Sequence, residues 1–193
     1  MATKVSICNR ALNSLGVKAR IASLSEDTEA ARKCALVIDD VIEEVLRAYN
    51  WNCATARAAL ARASGTPAFG YDYRYALPAG PDPPYCLRVI SIENEDEFSD
   101  YKIEGRQLLS NETTVKILYV KRVEDMNELD TLCRSAIAAR LAAEIGFSLT
   151  NSNSLQEAMW SLYAGKMQEA REIDAQEGSA GKWESESWIE ERA

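Results

Sequence analysis

The stretch LCRSAIAARLAAEI, residues 132–145, gives the clearest structural signal in this chain of 193 residues. One helical face collects its apolar residues, which are Leu132, Ala136, Ile137, Leu141 and Ile145. This spacing and the many alanines predict a long α-helix. Arg140 and Glu144 fall on the same stripe, so we expect one edge of the helix to meet a partner or solvent.

Two further helices are predicted ahead of this one in the chain. The first covers residues 3–15 and is followed by Gly16, where glycine suits a left-handed C-cap. The second runs from about residue 27 to 50, and its apolar face is formed by Cys34, Ile38, Val41, Val45 and Tyr49. On its solvent side, Glu43 and Arg47 have the i,i+4 spacing of a helical ion pair.

A fourth helix is predicted near the end of the chain. The run Ser154-Leu155-Gln156-Glu157 has the pattern of a capping box, and apolar periodicity continues to Ile173. Packing the four apolar stripes together gives a helical bundle built from both ends of the chain. We therefore assign residues 1–63 and 125–177 to the bundle.

Residues 64–124 have a different character, since they contain all five prolines and four of the nine glycines. The expected strands are the alternating run Tyr71, Tyr73, Tyr75 and Leu77, then 86–92, 101–104, 107–109 and 115–120. Gly105 and Arg106 suit a type II′ hairpin turn between two of these strands. The predicted fold is α+β and mainly α, with a small β lobe inserted into the helical bundle.

The C-terminal segment, residues 178–193, is rich in Gly, Ser and charged residues. Such a composition is typical of a linker, yet this segment holds Trp183 and Trp188, two of the four tryptophans. Tryptophan is enriched at binding hot spots. We therefore interpret the segment as an extended docking tail.

Composition argues against most enzyme classes. The chain contains no histidine, which removes the usual general base, the usual zinc ligand and any Ser-His or Cys-His pair. Its five cysteines are far apart and form no C-x-x-C pair, so reduced, buried thiols are expected. No phosphate-binding loop is present. We expect no catalytic activity, no cofactor and no metal.

Charge and hydropathy limit the partners and the location. The net charge of −8 opposes binding of duplex DNA through a basic face, and the basic residues are spread along the sequence. No apolar run approaches the roughly 20 residues needed to cross a bilayer, and the N-terminus lacks a secretory signal pattern. Synthesis in the cytoplasm and no membrane association are expected.

Two patterns invite a functional interpretation. Paired carboxylates are the only catalytic constellation that the sequence offers, for instance Glu93, Glu95, Asp96 and Glu97, or Glu112 with Asp100, as in a glycoside hydrolase. The first run is more typical of a solvated loop and lacks the ligand spacing of a calcium loop. Tyr71, Tyr73 and Tyr75 with Arg74 resemble a platform for stacking bases, but packing in a core or an interface is favoured for alternating aromatic residues.

Taken together, these segments resemble the tail tubular protein A family, the head-to-tail adaptors of short-tailed bacteriophages. The first matching segments are ICNRAL at 7–12, LG at 15–16, IASLSEDTEAAR at 21–32 and WNCATARA at 51–58. The others are PAFGY at 67–71, YALP at 75–78, CLRV at 86–89, YV at 119–120, AARLAAE at 138–144 and AREIDAQE at 170–177. They occur in the family's order, and beyond residue 177 the tail does not align residue by residue.

The resemblance implies a structural adaptor in the virion tail, assembled in the bacterial host cytoplasm. It implies a homo-oligomeric ring of about twelve subunits between the portal protein and the tail nozzle, with genomic DNA passing through the lumen without specific binding. It implies no cofactor. We expect Trp183, Trp188, Tyr71 and Tyr73 to bind partners. The alternatives are a tail-associated cell-wall hydrolase and a small cytoplasmic binding module.

Overall fold

A computed structural model describes residues 1–18, 20–93 and 100–177 of the chain. Within these ranges the fold is α+β, with four α-helices and two three-stranded sheets. The helices are α1 (Lys4–Ser14), α2 (Glu29–Arg47), α3 (Thr131–Thr150) and α4 (Asn153–Gln176). The strands are β1 (Thr55–Ala59), β2 (Tyr73–Ala76), β3 (Cys86–Glu93), β4 (Tyr101–Glu104), β5 (Gln107–Ser110) and β6 (Lys116–Lys121).

Each helix begins at a polar residue whose side chain accepts a hydrogen bond from a backbone N–H of the first turn. These residues are Thr3, Thr28, Asp130 and Ser152. They satisfy donors that have no partner within the helix, which fixes where each helix starts. At the other end of α1, Gly16 adopts a left-handed φ of 74°, as a glycine C-cap requires.

Helix α3 lies at the centre of the helical part and contacts α1, α2 and α4. Its alanines, Ala136, Ala139, Ala142 and Ala143 among them, are buried. Small side chains let neighbouring helices approach closely on several sides, so α3 can be covered by three helices at once. The two helices before the sheets and the two after them therefore share one hydrophobic core.

The sheets form a second hydrophobic core. One sheet has the order β1-β6-β3 and the other β2-β5-β4, and all pairings are antiparallel. Tyr75 and Leu108 from one sheet are buried with Ile117 and Tyr119 from the other. Both faces of β6 are used, because Val120 belongs to the core of the helices. The strand β6 thus connects the two cores.

Charged side chains of α2 also join the helices to the sheets. Glu43 pairs with Arg122, at 2.6 Å between carboxylate and guanidinium, and Arg47 donates a hydrogen bond to the Leu87 carbonyl. The predicted ion pair between Glu43 and Arg47 is therefore wrong. Each side chain instead reaches a partner next to the sheets. These partners are distant in the sequence, so the residue pattern within α2 could not predict them.

The sequence predictions of element type are confirmed for the four helices and for β3, β4, β5 and β6. Gly105 has a φ of 60°, as the predicted hairpin turn requires. The strand β1 was missed, because the Ala-rich run at 55–59 has weak strand propensity and lies before the predicted boundary at residue 64. It is held by pairing along β6. The strand predicted to start at Tyr71 is shorter in the structure, where β2 begins at Tyr73.

The start of α4 also differs from the prediction. Ser152 accepts the hydrogen bond from the Leu155 N–H, at 3.3 Å, and so caps the helix in place of Ser154. The hydroxyl groups of the two serines lie 3.2 Å apart and share a hydrogen bond. The helix therefore begins two residues earlier than a cap at Ser154 would allow.

We predict that Trp51→Ala lowers the free energy of unfolding by about 3–5 kcal/mol, because Trp51 is fully buried and its indole N–H donates to the Val45 carbonyl. Urea denaturation followed by circular dichroism measures this change. Leu36→Ala is the control, since Leu36 is 77% exposed and should change stability by less than about 0.5 kcal/mol. A loss below about 1 kcal/mol for Trp51→Ala would contradict the assigned core.

Candidate interaction surfaces

The predicted partner-binding tyrosines lie at the edge of the second sheet. Tyr73 is half-buried in β2, and the Arg62 guanidinium lies 3.8 Å from the centre of its ring. Tyr71 precedes the strand, and the desolvation it experiences, together with the neighbouring Asp100 carboxylate, raises its pKa. Tyr75 is fully buried and its hydroxyl donates to the Glu112 carbonyl. Tyr71 and Tyr73 therefore keep surface for a partner, whereas Tyr75 serves the core.

The loop before these tyrosines presents an exposed phenylalanine. Phe69 is 89% exposed. Arg74 donates hydrogen bonds to the Ser64 carbonyl, and its guanidinium would lie 2.5 Å from a Cβ added at Gly65. Gly65 also has a φ of 79°, so only glycine fits this close approach without strain. The base of the loop is thus fixed, and Phe69 is exposed two residues before Tyr71.

A second surface lies where α2, α3 and α4 meet. Arg140 of α3 contacts Glu44 of α2 at 2.7 Å and Glu144 at 2.5 Å, and its guanidinium lies 4.5 Å from the centre of the Trp160 ring. Tyr163 contacts the same guanidinium at 5.9 Å. The charged edge predicted for the 132–145 helix is therefore present, and it is occupied by partners within the chain.

Around Arg140 two large aromatic side chains remain partly exposed. Trp160 is 40% exposed and Phe147, two turns along α3 from Arg140, is 44% exposed. A guanidinium fixed by two carboxylates and an aromatic ring has little freedom left to lose on binding. This combination of ordered Arg and exposed Trp is typical of an interface hot spot. The charge on α3 was predicted from the sequence, whereas the aromatic residues of α4 that contact it were not.

The C-terminal end of α4 is fixed by a buried carboxylate. Asp174 accepts a hydrogen bond from the Asn52 backbone N–H at 3.1 Å, and the Asn52 side chain donates to the Asp174 carbonyl at 2.7 Å. Burial raises the pKa of Asp174, and the hydrogen bond from Asn52 opposes this effect. The end of α4 is therefore tied to the turn that leads into β1, which fixes the point from which the tail departs.

The five cysteines carry free thiols, and four of them are buried. Cys53 is half-buried beside Cys133 at the start of α3. The Cys133 thiol donates a hydrogen bond to the Cys53 sulfur and lowers the pKa of Cys53 to about 7, although burial acts in the opposite direction. The same hydrogen bond, together with burial, raises the pKa of Cys133. Cys53 is thus the thiol of this pair that ionises first.

The candidate carboxylates are only partly described. Glu93 pairs with Lys116 at 3.1 Å, and Glu112 lies on the loop between β5 and β6. Glu95, Asp96 and Glu97 lie outside the described residues, as do Trp183 and Trp188. In the parts of the chain that the structure describes, no cluster of acidic or thiol ligands could hold a metal ion, and no helix is long and apolar enough to cross a membrane.

Comparison of the chain with protein-family models and with curated proteins gives no match.

We predict that Cys53 is alkylated by iodoacetamide with half-maximal rate near pH 7, because its thiolate forms above that pH. Cys133→Ala removes the hydrogen bond that lowers the pKa, so the midpoint should move upward. Mass spectrometry of the Cys53 peptide over a pH series measures both midpoints. Cys86→Ala should leave the midpoint unchanged, and a wild-type midpoint at or above about 8.5, the value of a free thiol, would contradict the pairing.

Proposed function

We propose that the protein is a structural adaptor of the tail tubular protein A type, which forms a ring between the portal and the tail nozzle of a short-tailed bacteriophage. In this proposal the helices form a bundle that makes the wall of the ring, and the sheets form a lobe projecting from it. The ring contains about twelve copies and continues the DNA channel. The protein carries out no reaction and resides in the virion tail.

The observation that carries the proposal is the presence of exposed aromatic residues on both parts of the fold. Phe69 extends from the sheets, whereas Trp160 and Phe147 lie on the helices. Aromatic residues dominate binding energy at interfaces, so exposed aromatic side chains are candidates for contact with a partner. Two such surfaces suit a subunit that contacts neighbouring copies and a further partner. The ordered resemblance from residue 5 to 177 supports the choice of an adaptor.

The excess of acidic over basic residues suits a protein that lines a channel for DNA. A lumen that repels phosphate groups does not retain the genome as it passes. Residues 122–193 contain 14 acidic and 7 basic residues and so hold most of the net charge of −8. We propose that the lumen is negative and that DNA moves through it without specific binding.

The decisive experiment for this proposal is mass photometry of the purified protein mixed with a phage portal. We expect one complex whose mass corresponds to the portal plus about twelve copies of this chain. Cell-wall digestion by the protein alone is assayed in parallel, because the alternative is a tail-associated hydrolase. Absence of portal binding, or turnover abolished by changing one acidic residue, would contradict the adaptor function.

The tail, residues 178–193, is proposed to dock on a neighbouring subunit or on the portal through Trp183 and Trp188. We predict that changing both tryptophans to Ala costs roughly 2–4 kcal/mol per tail in docking, because each buried indole ring removes a large apolar area from water. A chain ending at Gly178 should keep its circular dichroism melt and lose portal affinity. Equal portal affinity of the full and shortened chains would exclude the tail from the mechanism.

A further inference from the structure

Three basic side chains that are separate in the sequence line one cavity beside α1. Asn9 fixes the following loop, because its side chain donates to the Ile21 carbonyl at 2.8 Å and accepts from the Ile21 N–H at 2.9 Å. This pair of hydrogen bonds folds the loop back along the helix and places Lys18 and Arg20 on the same side as Arg10. Although the basic residues are spread along the sequence, this loop brings three of them together.

The cavity has a volume of about 480 Å³ and is lined by Asn9, Arg10, Asn13, Val17, Lys18 and Arg20. Three of the six residues are cations, two are amides and none is acidic. The Arg10 guanidinium donates to the Ser135 hydroxyl at 2.7 Å, which orients it against α3. Within the part of the chain that the structure describes, none of the three cations forms an ion pair.

Among the described residues, two of these cations lack any partner. Of the twenty basic residues in the described ranges, twelve form no ion pair, and seven of these twelve donate to backbone carbonyls or contact aromatic rings instead. Lys18 and Arg20 have no such contact within these ranges. Unpaired cations that line one cavity repel each other and attract an anionic group from outside. We call these three residues, Arg10, Lys18 and Arg20, the cationic pocket.

A complementary acidic surface lies on α4. Ala170 and Asp174 face the interior, and Glu169 and Glu172 are exposed on the opposite side of the same helix. Glu169 pairs with Lys166 at 2.8 Å, and Glu172 accepts a hydrogen bond from Gln168, its one partner among the described residues. These two carboxylates form the acidic end of α4.

The pocket and the acidic end belong to different helices, which both pack on α3. The pocket lies beside α1, and its Arg10 reaches Ser135 of α3, whereas the acidic end lies on α4. Among the described residues, no ion pair joins the pocket to Glu169 or Glu172. One chain therefore offers unlike charges on two separate helices.

We infer that the cationic pocket of one copy binds Glu169 and Glu172 of a second copy. A contact between different surfaces of identical chains is heterologous, and repetition of such a contact closes a ring when its rotation allows. The inference rests on the proposed function, for which it supplies the contact between neighbouring subunits. Electrostatic pairing at the rim sets the orientation of the neighbours, and apolar residues add the remaining affinity.

The test is a charge swap measured by sedimentation velocity at low salt over a range of protein concentrations. One variant carries Lys18→Glu and Arg20→Glu, and the other carries Glu169→Lys and Glu172→Lys. Each variant alone should self-associate at least about tenfold more weakly than the wild type, because like charges then face each other. An equimolar mixture should recover association, because each reversed surface meets its complement on the other variant. Salt should weaken the wild-type contact.

The control variant, Lys102→Glu with Lys116→Glu, makes the same charge change on exposed strand residues and should associate like the wild type. Circular dichroism melts establish that all variants are folded. Three outcomes would overturn the inference. They are association of both swapped variants at the wild-type level, no recovery of association in the mixture, and a wild-type chain that never self-associates.

The Lys18 and Arg20 variant could instead lose binding to duplex DNA and keep its self-association. That result would assign the pocket to phosphate and overturn the inference as well. Ring assembly on the portal, measured separately, would leave the adaptor proposal intact in each case.

Discussion

The close packing around α3 is the constraint on which the rest of the structure depends. Its alanines allow α1, α2 and α4 to approach the same helix, so that segments more than a hundred residues apart share one core. A larger side chain at any of these positions would separate a neighbour from α3 and overpack the core. The helices fix both ends of the intervening segment. The sheets are therefore held at a defined place, even though they have a hydrophobic core of their own.

The polar surfaces follow from this arrangement. Since α3 is covered on most sides, α4 is packed along one face only, and its other faces meet water. Arg140 lies at the rim of that packing and gathers Glu44, Glu144 and Trp160 around it. The chemistry available at these surfaces is that of recognition, with charge and aromatic area in fixed positions. This is why a role in assembly, rather than in a reaction, is the function we propose.

Local patterns in the sequence were sufficient to predict the helices, because apolar periodicity and capping residues involve neighbours in the chain. Such patterns did not predict the elements and contacts that depend on distant residues. The strand β1 is Ala-rich and exists through its pairing with β6, and Glu43 binds Arg122 although Arg47 has the better spacing. The cationic pocket depends on Asn9 folding a loop onto α1, which no charge count reveals. Tyr71 and Tyr73 are partly buried, and their role in binding a partner stays a prediction.

The most direct test of the central claim is a cryo-electron microscopy map of the protein assembled on a phage portal. Our account predicts a closed ring of about twelve copies, with each subunit contacting the next through different surfaces and with acidic residues lining the channel. The helices would form the wall, and the aromatic residues at Trp160 and Phe69 would be covered by neighbouring chains. A map in which the chain is monomeric, or in which the channel wall is basic, would contradict the account.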